Sequence, residues 1–289
     1  MKLLLLGTGS PLPSLRRAST GHWIDAGADK IIIDLGPGAM HRLLESGIDP
    51  TSVTAIFLSH LHFDHIGDLP RLLFHCWDRF GGLRQMPRIF GPAGTKQMID
   101  RLFGADGAFH LDTTARVSHP RSLDIYQARG GKLPRPRPSF DVTELPPRAG
   151  KTALSTVEVS YGPVLHHQPY LDSLAFRVEG QDAVITYSSD IAISRSADYE
   201  DSLLDLAKNA DVLIHYLNVF EFDGSSSKAQ LLGRFAQRAG VRRLVTTHHG
   251  PAMDSDDVRD KTLAEIAAEF AGHVHWGEDR LTFEIGSGA

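Results

Sequence analysis

Cysteine is nearly absent: Cys76 is the single one in 289 residues. One thiol cannot close an intramolecular disulfide, build a cysteine-rich zinc site or hold an iron–sulfur cluster. Long hydrophobic runs are missing too. Leu3 to Leu6 is only four residues long before Gly7-Thr8-Gly9-Ser10, whereas a secretory core needs roughly 7–15 apolar residues and a membrane span about 20. Lys2–Leu6 is therefore expected to be a buried strand entering a glycine turn, and the chain is expected in the reducing cytoplasm with no membrane partner. Positive charge is not in excess. Thirty Lys and Arg against 35 Asp and Glu leave a net charge of −5, which argues against nucleic-acid binding driven by overall charge. Core formers are not scarce, since 42% of residues are hydrophobic, enough to exclude a disordered chain. What stands out is histidine, with 15 copies. A metal bound here must be held by imidazole and carboxylate.

Short β-rich runs flanked by Gly, Asp or Ser alternate with amphipathic segments. Predicted strands are Lys2–Leu6, His22–Asp25, Lys30–Asp34, Val53–Leu58, Arg88–Phe90, Ser155–Tyr161, Leu174–Glu179, Ala183–Tyr187, Val212–His215, Arg243–Thr247 and Leu281–Ile285. Predicted helices are Ala39–Glu45, Leu69–Arg79, Gly94–Leu102, Asp198–Ala207, Ser227–Ala239 and Asp256–Ala271. The first third reads as a β-meander followed by αβ units, and the last third reads similarly. Two α/β halves packed sheet against sheet are expected, forming one domain over 1–289. Residues 105–150 differ, with few recurring apolar residues and the basic, proline-rich run Gly130 to Pro138. They are expected to form an inserted flap or loop excursion.

The chemistry concentrates after Val53–Leu58, in Ser59-His60-Leu61-His62-Phe63-Asp64-His65. Residues two apart in extended chain point the same way, so His60 and His62 can grip one ion together. Asp64 and His65 follow where the chain turns and can address a second ion close by. Four ligand-type side chains within six residues suit zinc or a similar divalent ion. Further donors must come from distant strand ends, and three candidates exist: His166-His167, Asp190 and His248-His249.

His60-Leu61-His62-Phe63-Asp64-His65 resembles the HxHxDH motif of the metallo-β-lactamase superfamily. Leu6 to Ser10, Ile33 to Gly38, His65 to Pro70, Leu174 to Arg177 and Leu244 to His248 resemble landmarks of its ribonuclease Z-like branch, in order and across nearly the whole chain. The resemblance implies an α/β fold, a four-layer αβ/βα sandwich with a dinuclear metal site at one edge. It implies that His60, His62 and His167 hold one metal, that Asp64, His65 and His248 hold the other, and that Asp190 bridges. His167 is preferred over His166 for its distance to Ala175-Phe176-Arg177. The implied cofactors are two divalent ions, Zn²⁺ first, with Mn, Fe, Ni or Co as alternatives. The implied activity is hydrolysis by a bridging hydroxide, with Asp64 and His215 in catalytic roles. His166, Tyr216, Asn218 and His249 are expected substrate contacts.

The chain departs from the tRNA-processing members of that branch. Their HEAT-like motif reads here His215-Tyr216-Leu217-Asn218, with Tyr216 in place of the acidic residue. Their HST histidine has no counterpart in Gly224-Ser225-Ser226-Ser227, and a serine hydroxyl is a poor acid. The expected substrate is therefore a small ester: a phosphodiester, sulfate ester or lactone. The alternatives are a tRNA 3′-end endonuclease and, last, a non-catalytic protein that binds a ligand or RNA. Arg129, Lys132, Arg135, Arg137 and Arg148 read as a solvated loop or as an arm for an anionic partner. A homodimer is in keeping with the branch.

Overall fold

A computed structural model describes residues 1–191, 197–217 and 228–286. In chain order its first half holds β1 (Lys2–Gly7), β2 (Gly21–Ala26), β3 (Asp29–Leu35), α1 (Ala39–Glu45), β4 (Ala55–Phe57), α2 (Phe63–Ile66), α3 (Leu69–Phe80), β5 (Arg88–Gly91), α4 (Thr95–Phe103), α5 (His110–Ser118), α6 (Pro120–Ala128) and β6 (Val142–Glu144). The second half holds β7 (Gly150–Ala153), β8 (Glu158–Pro163), β9 (Leu174–Glu179), β10 (Val184–Tyr187), α7 (Ala197–Ala207), β11 (Val212–Tyr216), α8 (Lys228–Ala239), β12 (Arg243–Thr247), α9 (Asp256–Ala267), β13 (His273–Trp276) and β14 (Thr282–Glu284).

These strands build two seven-stranded sheets, ordered β14-β1-β2-β3-β4-β5-β6 and β13-β12-β11-β10-β9-β8-β7. Each is part antiparallel and part parallel, the change falling at β3 in one and β10 in the other. The strands are apolar on both faces because both faces are covered. In β1, Leu3 and Leu5 enter the core between the sheets, while Leu4 and Leu6 face the outer helix layer. Val212 and Ile214 of β11 likewise point to the centre and Leu213 to the helices on the other side. Three apolar layers thus separate helix, sheet, sheet and helix. This is the expected four-layer sandwich of two α/β halves.

Residues 105–150 are not a loop excursion. They form α5 and α6 before β6 joins the edge of the first sheet. The basic run behind them is strapped down. The Arg135 guanidinium, buried, lies 4.6 Å from the Trp77 ring and donates to Asp78 Oδ1 at 3.0 Å. Arg116 and Arg129 also pair with Asp78, and Arg137 donates to Thr114 Oγ1 at 2.9 Å. Three of the five cations expected on a free arm are thereby tied to the helices beneath. Cys76 is buried on α3, and burial pushes its thiol up to about 12, so it is inert at neutral pH. No helix among the described residues is long and apolar enough to cross a membrane.

A two-part candidate metal centre

Parallel strands deliver their C-terminal ends to one edge of the sandwich, where α/β folds commonly assemble sites. β3 carries Asp34 one residue before its end, β4 leads to Ser59 and His60, β10 to Ser189 and Asp190, and β12 to His248. Asp34, Ser189 and His248 take left-handed backbone conformations, with φ of 56°, 56° and 64°. Such conformations cost roughly 1–3 kcal/mol each in non-glycine residues and persist where surrounding structure enforces them. Gly36 makes room for the motif, since a Cβ there would stand 1.9 Å from the Asp64 carbonyl oxygen.

Two donor groups result: His60, His62 and His166, and Asp64, His65, Asp190 and His248. In the first, His62 Nδ1 lies 3.0 Å from His60 Nε2 and 3.1 Å from His166 Nε2. In the second, Asp190 Oδ2 lies 3.2 Å from His65 Nε2 and 3.0 Å from His248 Nε2. Asp64 Oδ2 lies 3.5 and 3.2 Å from the same two nitrogens. Ligands of a tetrahedral zinc, at about 2.0–2.1 Å from the ion, stand roughly 3.3 Å apart. Both groups fit that spacing, and nitrogen with carboxylate oxygen is the donor chemistry such ions take. Asp190 Oδ2 is also 3.9 Å from His60 Nε2, so it stands between the groups.

Hydrogen bonds behind the donors fix their tautomers. Asp34 Oδ2 accepts from His65 Nδ1 at 2.8 Å, from Ser59 Oγ at 2.6 Å and from the Tyr187 hydroxyl at 3.1 Å. Because the Ser59 hydroxyl donates to Asp34, it accepts from His60 Nδ1 at 3.0 Å. His60 and His65 therefore both turn Nε2 toward the centre, the arrangement that orients metal-binding histidines. Asp34 was legible in the sequence as a strand end within the Ile33 to Gly38 landmark, with no role attached. A carboxylate closing an Ile-Ile-Ile run must find partners when buried, and that is the signal that could have flagged it.

Charge divides the groups. Burial, together with the charge of His65, holds His60 well below the usual imidazole range, and burial brings His166 down to about 4. In the second group burial opposes charge too, but Asp190 and Asp34 outweigh it at His65, which is raised well above its usual value. At His248 burial is outweighed by Asp190 and Asp64, and the group rises to about 9. Burial likewise disfavours the Asp190 carboxylate, yet His248 and His65 hold it well below the carboxylate range.

Six of the seven expected metal donors come together. The exception is His167. The turn after Val164 aims His166 inward, its Nε2 3.1 Å from His62 Nδ1. Gln168 braces it, accepting from the His166 amide at 2.7 Å and donating to the Val164 carbonyl at 2.8 Å. His167 is exposed, stacks on His166 at 4.2 Å and meets only the outer nitrogen of His62, at 3.1 Å. His166, expected to touch substrate, is instead in the donor group. His249, also expected to touch substrate, is buried, stacked on Trp276 at 3.8 Å, with Nε2 3.0 Å from Thr246 Oγ1. The amide of His249 bonds to the Thr8 carbonyl, which draws the residue into the sheet edge. Tyr216 is buried with its ring 5.0 Å from His248. His215 is buried, bonded through Nδ1 to the Tyr216 carbonyl at 2.5 Å, and its Nε2 has no partner among the described residues. Burial lowers it to about 4, so its imidazole is neutral at pH 7. Asn218 and residues 224–227 lie outside the described residues.

Comparison with known proteins agrees with this fold. Residues 1–106 match the family described as anti-Pycsar protein Apyc1. The chain is 27% identical over 301 residues to ribonuclease Z of Mycobacterium bovis, covering 99% of this chain and 98% of that one. Among solved structures it is similar to the metallo-β-lactamase fold protein YhfI from Bacillus subtilis, with a TM-score of 0.71, 20% identity and coverage of 98% and 99%. It is similar also to the short form of human tRNase Z, with a TM-score of 0.66, 20% identity and 99% coverage of each chain. The sandwich is the metallo-β-lactamase fold, and over its full length the chain is similar to ribonuclease Z.

Proposed function

We propose that this hydrolase cleaves phosphodiester bonds at a two-ion centre. His60, His62 and His166 would hold one divalent ion, Asp64, His65 and His248 the other, and Asp190 would serve both. The observation that carries this is the place of Asp190 Oδ2, within 3.0–3.9 Å of nitrogens from both groups. Zn²⁺ suits the donors, with Mn, Fe, Ni or Co as alternatives. Ions in such a pair supply an activated water and neutralise charge on the phosphoryl oxygens.

The remaining steps belong to the chain. Asp34 holds His65 directly and His60 through Ser59, keeping both Nε2 lone pairs directed at the centre. The Asp64 carboxylate, held ionised by its bond with His248 against the opposing effect of burial, can take the proton of the attacking water. His215 is neutral with its Nδ1 proton committed to a carbonyl, so its Nε2 can accept a proton but has none to give.

Two substrates of this class have support. A small diester is favoured by Tyr216 standing where tRNA-processing relatives carry an acidic residue. RNA is supported at least as well by the full-length similarity to ribonuclease Z, and the net charge of −5 does not outweigh it. The test is a panel of bis(p-nitrophenyl) phosphate, an aryl sulfate, a lactone and a precursor tRNA with metal-loaded protein. Turnover of either phosphodiester and neither of the others is expected. Turnover of the sulfate or lactone alone, or activity that survives complete metal removal, would overturn the proposal.

A further inference from the structure

Aromatic side chains are mostly buried in folded proteins, and large apolar groups left in solvent beside a site are informative. Among the described Phe, Tyr and Trp residues two are exposed, Phe63 at 74% and Tyr170 at 94%. Both flank the first donor group. Phe63 follows His62 directly and opens α2. Tyr170 ends a turn whose amide bonds to the His167 carbonyl at 3.0 Å, and the ends of such a turn stay within about 7 Å. The two segments meet through the His62 ring, whose centroid lies 4.9 Å from that of His166 and 4.8 Å from that of His167. The turn carrying Tyr170 is braced by the Gln168 bonds and by the pairing of His167 with Leu171. Exposure here is therefore not a frayed loop. Neither ring has a role in holding the donors.

We propose that Tyr170 and Phe63 are stacking platforms for a nucleobase next to the scissile phosphodiester. The inference rests on the phosphodiesterase reading above and names its substrate class as nucleotidyl. Every base has a flat π-face, so rings of this kind bind nucleotides with little sequence preference. They belong to the segments carrying the first group, the more exposed of the two. The base can belong to a single nucleotide ester or to an RNA strand, since both present the same face.

The experiment uses the metal-loaded full chain and three substrates: thymidine 5′-(p-nitrophenyl phosphate), methyl p-nitrophenyl phosphate and a single-stranded oligoribonucleotide. In Tyr170→Ala the preference for the thymidine ester over the methyl ester, as a ratio of kcat/KM values, is expected to fall about tenfold, carried by KM. Tyr170→Trp is expected to restore it. Phe63→Ala, checked for retained metal, is expected to lower the same ratio, and Phe63→Trp to restore it. A parallel rise in KM for the oligoribonucleotide assigns the platform to RNA as well as to free nucleotides; a rise for it alone assigns it to RNA. An unchanged ratio in both alanine variants, with unchanged oligoribonucleotide KM, overturns the stacking role while leaving the phosphodiesterase standing. A change in self-association with unchanged KM values does the same, by giving the rings to a protein contact. No turnover of any of the three substrates by wild type overturns both readings.

Discussion

The two donor groups are built differently. The first is three imidazoles and no carboxylate of its own, with His62 and His166 part-exposed; the second is two carboxylates and two histidines, all buried. In the first, burial keeps His60 and His166 neutral and ready to bind. In the second, opposite charges compensate one another, with Asp190 low and His248 raised to about 9. The contrast teaches a division of labour. On the two-ion proposal, the buried, charge-balanced group would anchor an ion, and the neutral, more open one would exchange its ion and face substrate.

The change that should erase the contrast is Asp190→Asn, because that carboxylate serves both groups. Loss of bound metal at both and of all detectable bis(p-nitrophenyl) phosphate turnover is expected, read by metal analysis and a colorimetric rate. A variant that keeps both ions would break the comparison. Next comes the histidine pair. His166→Ala is expected to drop metal content by one ion per chain and to remove most activity. His167→Ala is expected to keep both ions. The reverse result would restore His167 to the donor set.

Asp34→Asn sharpens the comparison in a different way, since Asp34 touches His65 directly and His60 only through Ser59. Loss of such a supporting bond typically costs about 10–100-fold in metal affinity or activity. The larger loss is expected at the buried group, measured by titrating each ion against a chelator. Equal losses would mean that both groups depend on one support.

The HxHxDH stretch was legible because its donors sit within six residues and need only local geometry. The sandwich was legible because doubly covered strands read as unbroken apolar runs, as in Ile31-Ile32-Ile33. Choosing between His166 and His167 was not legible. That depends on how the Gln168 side chain bends one turn, which spacing does not encode. Helices α5 and α6 were missed because each has nine residues and only one fully buried side chain, Thr113 and Tyr126. Strand β13, His273–Trp276, lies at a sheet edge and carries two histidines, so it lacked the apolar signature of its neighbours.

The smallest effect lies away from both groups and serves as a control. Burial opposes ionisation of Asp78, but Arg135 and Arg116 hold its carboxyl below the usual range. Asp78→Asn should lower stability by roughly 2 kcal/mol at pH 7, read by thermal unfolding, and leave both ions bound. A depressed folded-state pKa contributes stability above the unfolded value and loses it as pH falls. The gap between variant and wild type should therefore narrow below about pH 4. A gap that widens on acidification would refute the assignment.

The last strand returns to the first. β14 pairs with β1, Lys2 opposite Glu284, while β1 also pairs with β2. During synthesis that edge of β1 must wait for Thr282–Glu284 to emerge. His248, also late, must arrive before the second donor group can close. The HxHxDH stretch thus holds only part of either donor group, and the second group closes only once the segments after β10 and β12 have been made and have folded against it.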